Sequence, residues 1–102
     1  MKPPVELKAL DPIIHERVRL GILTLLLQGG ELDFQTLKHT LHVTDGNLSR
    51  HLQVLEEAGL VHVRKTFVRR RPRTYYRLTA EGRRRFLTYL DHLRQILKTL
   101  KT

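Results

Sequence analysis

Side chains able to read nucleotide bases are grouped in one short stretch of this sequence, TDGNLSRHLQVLEEAG, from Thr44 to Gly59. At about 100° per residue, Leu48, Leu52 and Leu55 form one apolar stripe along a helix. The opposite face carries Gly46, Asn47, Arg50, Gln53, Val54 and Glu57. Asparagine amides pair with adenine, and arginine guanidinium groups pair with guanine or phosphate. Taken alone, this stretch supports a base-reading helix and an ordinary amphipathic surface helix equally.

The two ends of this helix are marked by residues with terminal preferences. Thr44 can cap the first turn, and Asp45 suits the positive end of the helix dipole. Gly59 can take the left-handed conformation in which many helices end. We therefore predict a short helix that is anchored by its leucines and presents polar groups near its start.

A strongly basic segment follows, from Leu60 to Thr79. Apolar and polar side chains alternate with a period of two in VHVR and in YYRL, which is typical of strands. Between them lies TFVRRRPRT, in which Pro72 favours a loop over a central strand. We predict a β-hairpin with a basic tip. The segment holds seven Arg or Lys and no acid, which favours contact with phosphates over a merely solvated surface.

A long apolar helix is predicted near the start of the chain, after a flexible arm or docking segment over residues 1–10. Asp11 can act as its cap and Pro12 as its first residue, and Gly29-Gly30 ends it after Gln28. Its predicted buried stripe is Ile14, Val18, Ile22 and Leu25. A helix this apolar belongs in the core or in a subunit contact, which Val5 and Leu7 of the arm could extend.

A second helix, from Phe34 to Leu41, is predicted behind Asp33 as its cap, after a very short strand at Glu31 and Leu32. The turn His42-Val43-Thr44 joins it to the helix described first. Two short helices joined this tightly around shared leucines form a helix-turn-helix over residues 34–59. His42 holds the turn position that usually carries Gly or Asn, and histidine tolerates a positive φ better than most residues.

The last segment predicts a long helix capped by Thr79. Gly82 costs about 1 kcal/mol in such a helix unless another group must approach closely. Apolar residues then recur every three or four positions, as in a coiled-coil seam: Phe86, Leu90, Leu93, Leu97 and Leu100. Two heptads fit either a subunit interface or packing against the chain's own domain. We assign this seam to dimerisation.

Composition limits the remaining classes of function. The chain of 102 residues has room for one domain, and its net charge of +9 and pI of about 10.7 favour a polyanionic partner. The absence of cysteine excludes disulfides, thiolate metal sites and a thiol nucleophile. The chain has no apolar run long enough for a bilayer and nothing like a signal peptide near its start, so we expect it in the cytoplasm, with no membrane partner.

The histidines and hydroxyls do not form a catalytic or metal-binding set. His39 and His42 lie three apart, but no Asp or Cys completes a tetrahedral site, so no metal and no cofactor are expected. Ser49 and His51 lie two apart on a helix and do not face each other, and no acid is placed to orient the histidine. No glycine-rich phosphate loop is present. We do not expect an enzyme.

The order of helix, helix-turn-helix, basic hairpin and long helix resembles a winged-helix DNA-binding domain. The segments TDGNLSRHLQVLEEAGLV and TYYRLTAEGR are similar in sequence to bacterial regulators related to the arsenical-resistance (ArsR) and multiple-antibiotic-resistance (MarR) repressors. The resemblance covers residues 10–90. Many relatives have Gln-Ser or Gln-Pro where this chain has Asp45-Gly46. Metal-sensing relatives use Cys, or His and Asp pairs in the last helix, whereas here Asp91-His92 has no second histidine downstream.

By position, the resemblance implies that the recognition helix presents Thr44, Gly46, Asn47, Ser49 and Arg50 to the major groove or its flanking phosphates. It also implies that the hairpin, the wing of the fold, brings the arginines from 69 to 73 to the minor groove or backbone. The complete set of predicted DNA-binding residues is Thr44, Gly46, Asn47, Ser49, Arg50, Gln53, Arg64, Lys65, Arg69, Arg70, Arg71 and Arg73.

We predict a mainly α fold with a small β-hairpin: a winged helix-turn-helix over residues 11–79, with the wing at 60–79, and a dimerisation helix over 80–102. The predicted function is a sequence-specific transcriptional regulator, a repressor, that binds a palindromic site on double-stranded DNA as a homodimer. A small-molecule effector is left open. The alternative from another class is a winged-helix adaptor that binds protein or RNA and has only nonspecific affinity for nucleic acid.

Overall fold

Four helices and a small antiparallel sheet follow one another in the computed structural model, which describes residues 9–100. The elements are α1 (Arg17–Gly29), β1 (Glu31–Asp33), α2 (Phe34–Leu41), α3 (Asp45–Glu57), β2 (Val61–Val68), β3 (Arg71–Leu78) and α4 (Ala80–Thr99). The strand order is β1-β3-β2. This arrangement confirms the predicted fold class. Most of the predicted arm, including Val5 and Leu7, lies outside the described residues.

The first helix begins later than predicted from Asp11 and Pro12. Asp11 holds only a separate turn, in which its carboxylate accepts a hydrogen bond of 3.0 Å from the amide of Ile13. The chain then extends through Glu16, whose carboxylate caps α1 by accepting a 2.8 Å hydrogen bond from the amide of Arg19. The prediction was wrong here because Asp11 is a far commoner type of capping residue than Glu16.

α1 passes through the middle of the core. Its buried side chains are Val18, Ile22, Leu23 and Leu26. Leu25, which the pattern placed in the buried stripe, is only half-buried, and Ile14 is completely buried but belongs to the preceding turn. Within residues 9–100, no helix is both long enough and apolar enough to cross a membrane.

α2 and α3 form the helix-turn-helix, with α2 over the predicted residues Phe34–Leu41 and α3 ending at Glu57, two residues before Gly59. The side chain of Asp33 caps α2, and that of Thr44 caps α3. His42 between them has a φ of 55°, the left-handed conformation that its place in the turn requires. The leucines that hold the two helices on the core are Leu37, Leu48, Leu52 and Leu55, all buried.

The wing lies within the predicted residues 60–79, but its two strands are longer than predicted. β2 and β3 pair over their whole length, from Val61 opposite Leu78 to Val68 opposite Arg71. Only two residues, at 69 and 70, remain for the turn, so most of TFVRRRPRT is strand and the predicted loop is wrong. Pro72 lies opposite Phe67. After a two-residue turn this position is a non-hydrogen-bonded pair, so proline removes no bond of the ladder. β1 pairs with β3 only further along, at residues 75–77.

The first half of α4 packs onto the body of the domain. Thr79 caps it as predicted, accepting a hydrogen bond from the amide of Gly82 at 2.8 Å. Phe86 is 1% exposed, and Tyr89 is 2% exposed and shares a 2.7 Å hydrogen bond with the ring of His15. Phe86, which was predicted to form the dimer seam, therefore belongs to the core of its own domain. Its ring stacks on that of Tyr89, with the ring centroids 6.4 Å apart.

Candidate nucleic-acid interface

α3 separates an anchoring side from a polar side. Its leucines are buried, and on the opposite side Gly46, Ser49, Arg50 and Gln53 are exposed, whereas Asn47 is half-buried. The structure thus brings the predicted polar residues of this helix onto one surface. Amide, hydroxyl and guanidinium groups on a helix of this kind can donate and accept hydrogen bonds at base edges in a major groove.

The first turn of α3 is fixed by two contacts. The hydroxyl of Thr44 accepts a hydrogen bond of 3.1 Å from the amide of Asn47. Lys38 of α2 lies 2.8 Å from the carboxylate of Asp45. Because lysine offsets this acid, the start of α3 repels a phosphate less than Asp45 alone would. The predicted contact residue Thr44 therefore positions the helix, while its hydroxyl hydrogen remains available to an acceptor.

His51 connects the buried side of α3 to the start of α1. The His51 residue is 7% exposed, and its Nδ1 lies 3.6 Å from the carboxylate of Glu16 and 3.4 Å from the guanidinium of Arg19. Burial lowers the pKa of His51, and nearby arginines lower it further against the opposing effect of Glu16. His51 therefore supports the helix from its inner side and is not part of the exposed polar surface.

The tip of the wing holds two arginines in a conformation that arginine disfavours. Arg69 has a φ of 52° and Arg70 a φ of 67°, so both central residues of the turn are left-handed. Turns of this type favour Asn-Gly, and a side chain with a Cβ costs about 1 kcal/mol at each such position. Strained backbone of this kind tends to occur at functional sites. The local fold does not require arginine at either position.

Arg64, a predicted contact residue, is engaged within the sheet. Its guanidinium makes two hydrogen bonds to the carboxylate of Glu31 in β1, at 2.8 and 3.1 Å, and lies 4.5 Å from the centre of the Tyr75 ring. The hydrogen bonds from Arg64 also lower the pKa of Glu31. The wing contains no acid of its own, but Glu31 of β1 forms an ion pair with Arg64. The guanidinium of Arg64 is therefore already bound and is not free to bind a phosphate.

Lys65 lies on the face of the wing that is turned toward α3. It lines a groove together with Ser49, Gln53 and Tyr76. Arg71 and Arg73 alternate onto the opposite face of the wing and border a hollow next to Gln35 near the start of α2. The predicted site therefore divides into three parts: the α3 surface with Lys65, the exposed tip at residues 69 and 70, and the outer arginines.

Two residues of this region were not predicted from the sequence. Glu31 was predicted only as part of a short strand, and its ion pair was not foreseen because its partner Arg64 is 33 residues away. Phe67 was placed in a loop, although it continues the period-two alternation of Val61 and Val63. No group of three or more His, Cys, Asp or Glu side chains able to hold a metal ion occurs in the part of the chain that the structure describes.

The chain is similar to known proteins both in sequence and in fold. An uncharacterised protein of Methanocaldococcus jannaschii is 37% identical over 89 residues, which span 87% of this chain and 97% of the relative. The solved structure of a transcriptional regulator homologue from Pyrococcus horikoshii is 32% identical, with a TM-score of 0.85 over 93% of this chain and 95% of that one. A regulator of the MarR family from Enterococcus faecalis is 29% identical, with a TM-score of 0.72 over 90% and 84%.

A further solved structure, 31% identical with a TM-score of 0.64, is named as a possible transcriptional regulator for arsenical resistance. Together with the MarR-family structure it confirms the resemblance found in the sequence. All three solved relatives are named as transcriptional regulators or their homologues, in agreement with the expectation that the chain is not an enzyme. The profile of the winged helix DNA-binding domain matches residues 18–97, from the first turn of α1 almost to the end of α4. The chain therefore belongs to the winged helix DNA-binding domain family.

Proposed function

We propose that this protein is a sequence-specific transcriptional regulator that binds a palindromic operator as a homodimer and represses by blocking access to a promoter. The observation that carries the proposal is the position of the exposed polar surface of α3 beside a wing whose tip arginines pair with no acid among residues 9–100. A helix in the major groove reads bases, while a basic wing binds the adjacent backbone or minor groove. Neither surface is needed to bury the core.

The proposed contacts follow the three parts of the site. Asn47, Ser49, Arg50 and Gln53 read bases or bind flanking phosphates, with Gly46 allowing close approach and Thr44 holding the first turn. Lys65 and the arginines at 69, 70, 71 and 73 bind phosphates. Arg64 acts indirectly, because its ion pair with Glu31 braces the wing against β1.

The proposed dimer rests on the second half of α4. Leu97 is 60% exposed and Leu100 is 73% exposed, and Leu87 on the same helix is 44% exposed. Leu90 and Leu93 are half-buried and connect this surface to the core. One recognition helix contacts few base pairs, whereas two related by a twofold axis can occupy major grooves about 34 Å apart. A self-complementary apolar surface is what such a twofold contact needs.

Replacing Asn47 or Arg50 with alanine is expected to weaken binding to the preferred duplex by about 1–3 kcal/mol and to change binding to random DNA little, because base contacts are lost and phosphate contacts remain. Fluorescence anisotropy on both duplexes measures this. Gln28→Ala, at the exposed end of α1, serves as the control. Equal losses on both duplexes would restrict these side chains to phosphate contacts.

The double variant Arg69→Asn, Arg70→Gly is expected to be more stable than the parent and to bind all DNA sequences more weakly. Asn-Gly suits the left-handed turn, while the loss of two charges lowers the slope of log K against log salt by roughly 1–2 units. Thermal melting and salt titrations test the two effects separately. Arg84→Gln with Lys98→Gln removes the same charge from α4 and should leave the slope unchanged. An unaltered slope in the wing variant would mean that the tip points away from the duplex.

Selection of bound duplexes from a random pool distinguishes this function from that of an adaptor. A regulator should recover a palindrome with a spacing of about one helical turn between half-sites. A protein- or RNA-binding adaptor with a nonspecific basic wing should recover none, and would then be tested for binding to RNA.

A further inference from the structure

Phe67 is an exposed aromatic side chain that is not packed in the hydrophobic core. It is 72% exposed, whereas Phe86 is buried and Phe34 packs partly against the core. Lys65 and Arg69 lie two residues before and after it in the wing, and Pro72 is its partner in the opposite strand. Exposing a phenylalanine loses most of the stabilisation that burial of its ring would give. Packing within the domain therefore does not explain this residue.

The register of the wing fixes the direction in which Phe67 points. Side chains alternate along a strand, so Phe67 lies on the same face as Val63 and Lys65. Lys65 on this face lines the groove beside Ser49 and Gln53 of α3. Phe67 lies two residues, or about 7 Å, further out along the same face. It is therefore directed to the side on which α3 presents its polar surface, just before the arginine tip.

We propose that Phe67 is an apolar wedge that enters the minor groove beside the α3 contact, partly unstacks one base step and bends the duplex. This inference rests on the proposed DNA-binding function. An apolar side chain with cations close by, here Lys65 and the arginines of the turn, is suited to this task, since the cations hold the phosphates while the ring replaces base stacking. Pro72 opposite and the fully paired strands keep the side chain on a stiff support.

A wedge of this kind confers specificity at positions that no polar side chain contacts. Pyrimidine–purine steps such as TA are unstacked more easily than G·C-rich steps. The protein should therefore prefer duplexes with a TA step under the wing, by roughly tenfold over the same duplex with a GC step. Phe67 is thus assigned as a specificity-determining residue of indirect readout.

The test uses the full chain and the duplex recovered by selection, prepared with a TA or a GC step at each flanking position. Phe67→Ala is expected to remove the roughly tenfold preference and to reduce the bend measured with circularly permuted duplexes. Phe67→Leu should retain both, because leucine is also an apolar wedge. Val68→Ala, on the opposite face of β2, is the matched control and should change neither. Unstacking is read independently from the fluorescence of 2-aminopurine in the flanking step.

Several outcomes would overturn the proposal. If the parent protein binds the duplex without bending it, or without preferring one flanking step, Phe67 does not act as a wedge. Phe67→Ala that weakens both flanks equally and leaves the bend intact would place the ring against the sugar-phosphate backbone. Phe67→Ala with unchanged DNA binding and bending would show that the ring does not contact the duplex. If the parent chain selects no duplex at all, it is the proposed function that fails first.

Discussion

Replacing both Leu97 and Leu100 with aspartate is expected to give a folded monomer that has lost specific DNA binding by roughly two to three orders of magnitude. Both side chains are mostly exposed within one chain, at 60% and 73%, so the substitutions remove little packing from the domain. In the proposed dimer they would bury unpaired carboxylates, which is prohibitive. The monomer keeps one recognition helix and one wing, and it should retain weak nonspecific binding.

Sedimentation equilibrium and titration of the selected duplex together test this expectation. Thr88→Asp with Thr99→Asp is the matched control, because it adds the same two charges to exposed positions on the other side of α4. The control should remain a dimer and bind specifically. A folded dimer formed by the leucine variant would move the interface elsewhere, with α1 as the next candidate. A parent chain that sediments as a monomer would overturn the dimer itself.

The structure also decides which leucines to replace. The seam seen in the sequence includes Leu93, but that side chain is half-buried against the core. Aspartate at Leu93 would disturb the domain and the interface together, and loss of binding would then have two explanations. Leu97 and Leu100 separate the two effects because their surroundings are solvent.

Gly82→Ala is expected to destabilise the domain by about 2–4 kcal/mol, although alanine is intrinsically the better helix former by about 1 kcal/mol. A Cβ at this position would lie 2.0 Å from the carbonyl oxygen of Leu60 and 2.8 Å from its carbon. Both are backbone atoms that cannot rotate away. The same carbonyl accepts a 3.1 Å hydrogen bond from the amide of Thr79, so α4 would have to separate from the base of the wing.

Gly46→Ala is the matched control, because it lies in the exposed first turn of α3 and a Cβ added there would meet no atom of residues 9–100 within 4 Å. It should leave stability unchanged or raise it by up to about 1 kcal/mol. Urea unfolding of both variants measures the difference. Equal stability of Gly82→Ala and the parent would show that α4 can shift away from Leu60 without cost.

The sequence by itself determined the parts of this protein that depend on neighbours within three or four residues. Asp33, Thr44 and Thr79 each cap a helix by accepting a hydrogen bond from the amide three residues later, so their helices begin where the sequence predicts. The left-handed turn at His42 and the polar surface of α3 follow the same local rules. The excess of positive charge in the wing is a property of composition alone.

Only the tertiary structure decided the features that depend on residues far apart in the chain. Asp11 forms a separate turn whose carboxylate is bound by Arg85, 74 residues away. Glu31 reaches across the sheet to occupy Arg64, and Phe86 is drawn from the predicted dimer seam into the core. Pro72 fits into a strand because the register set by the turn places it in a non-hydrogen-bonded pair, where a backbone N–H would not bond to the partner strand. Local patterns state which face of an element is apolar, whereas the packing of the whole chain determines what covers that face.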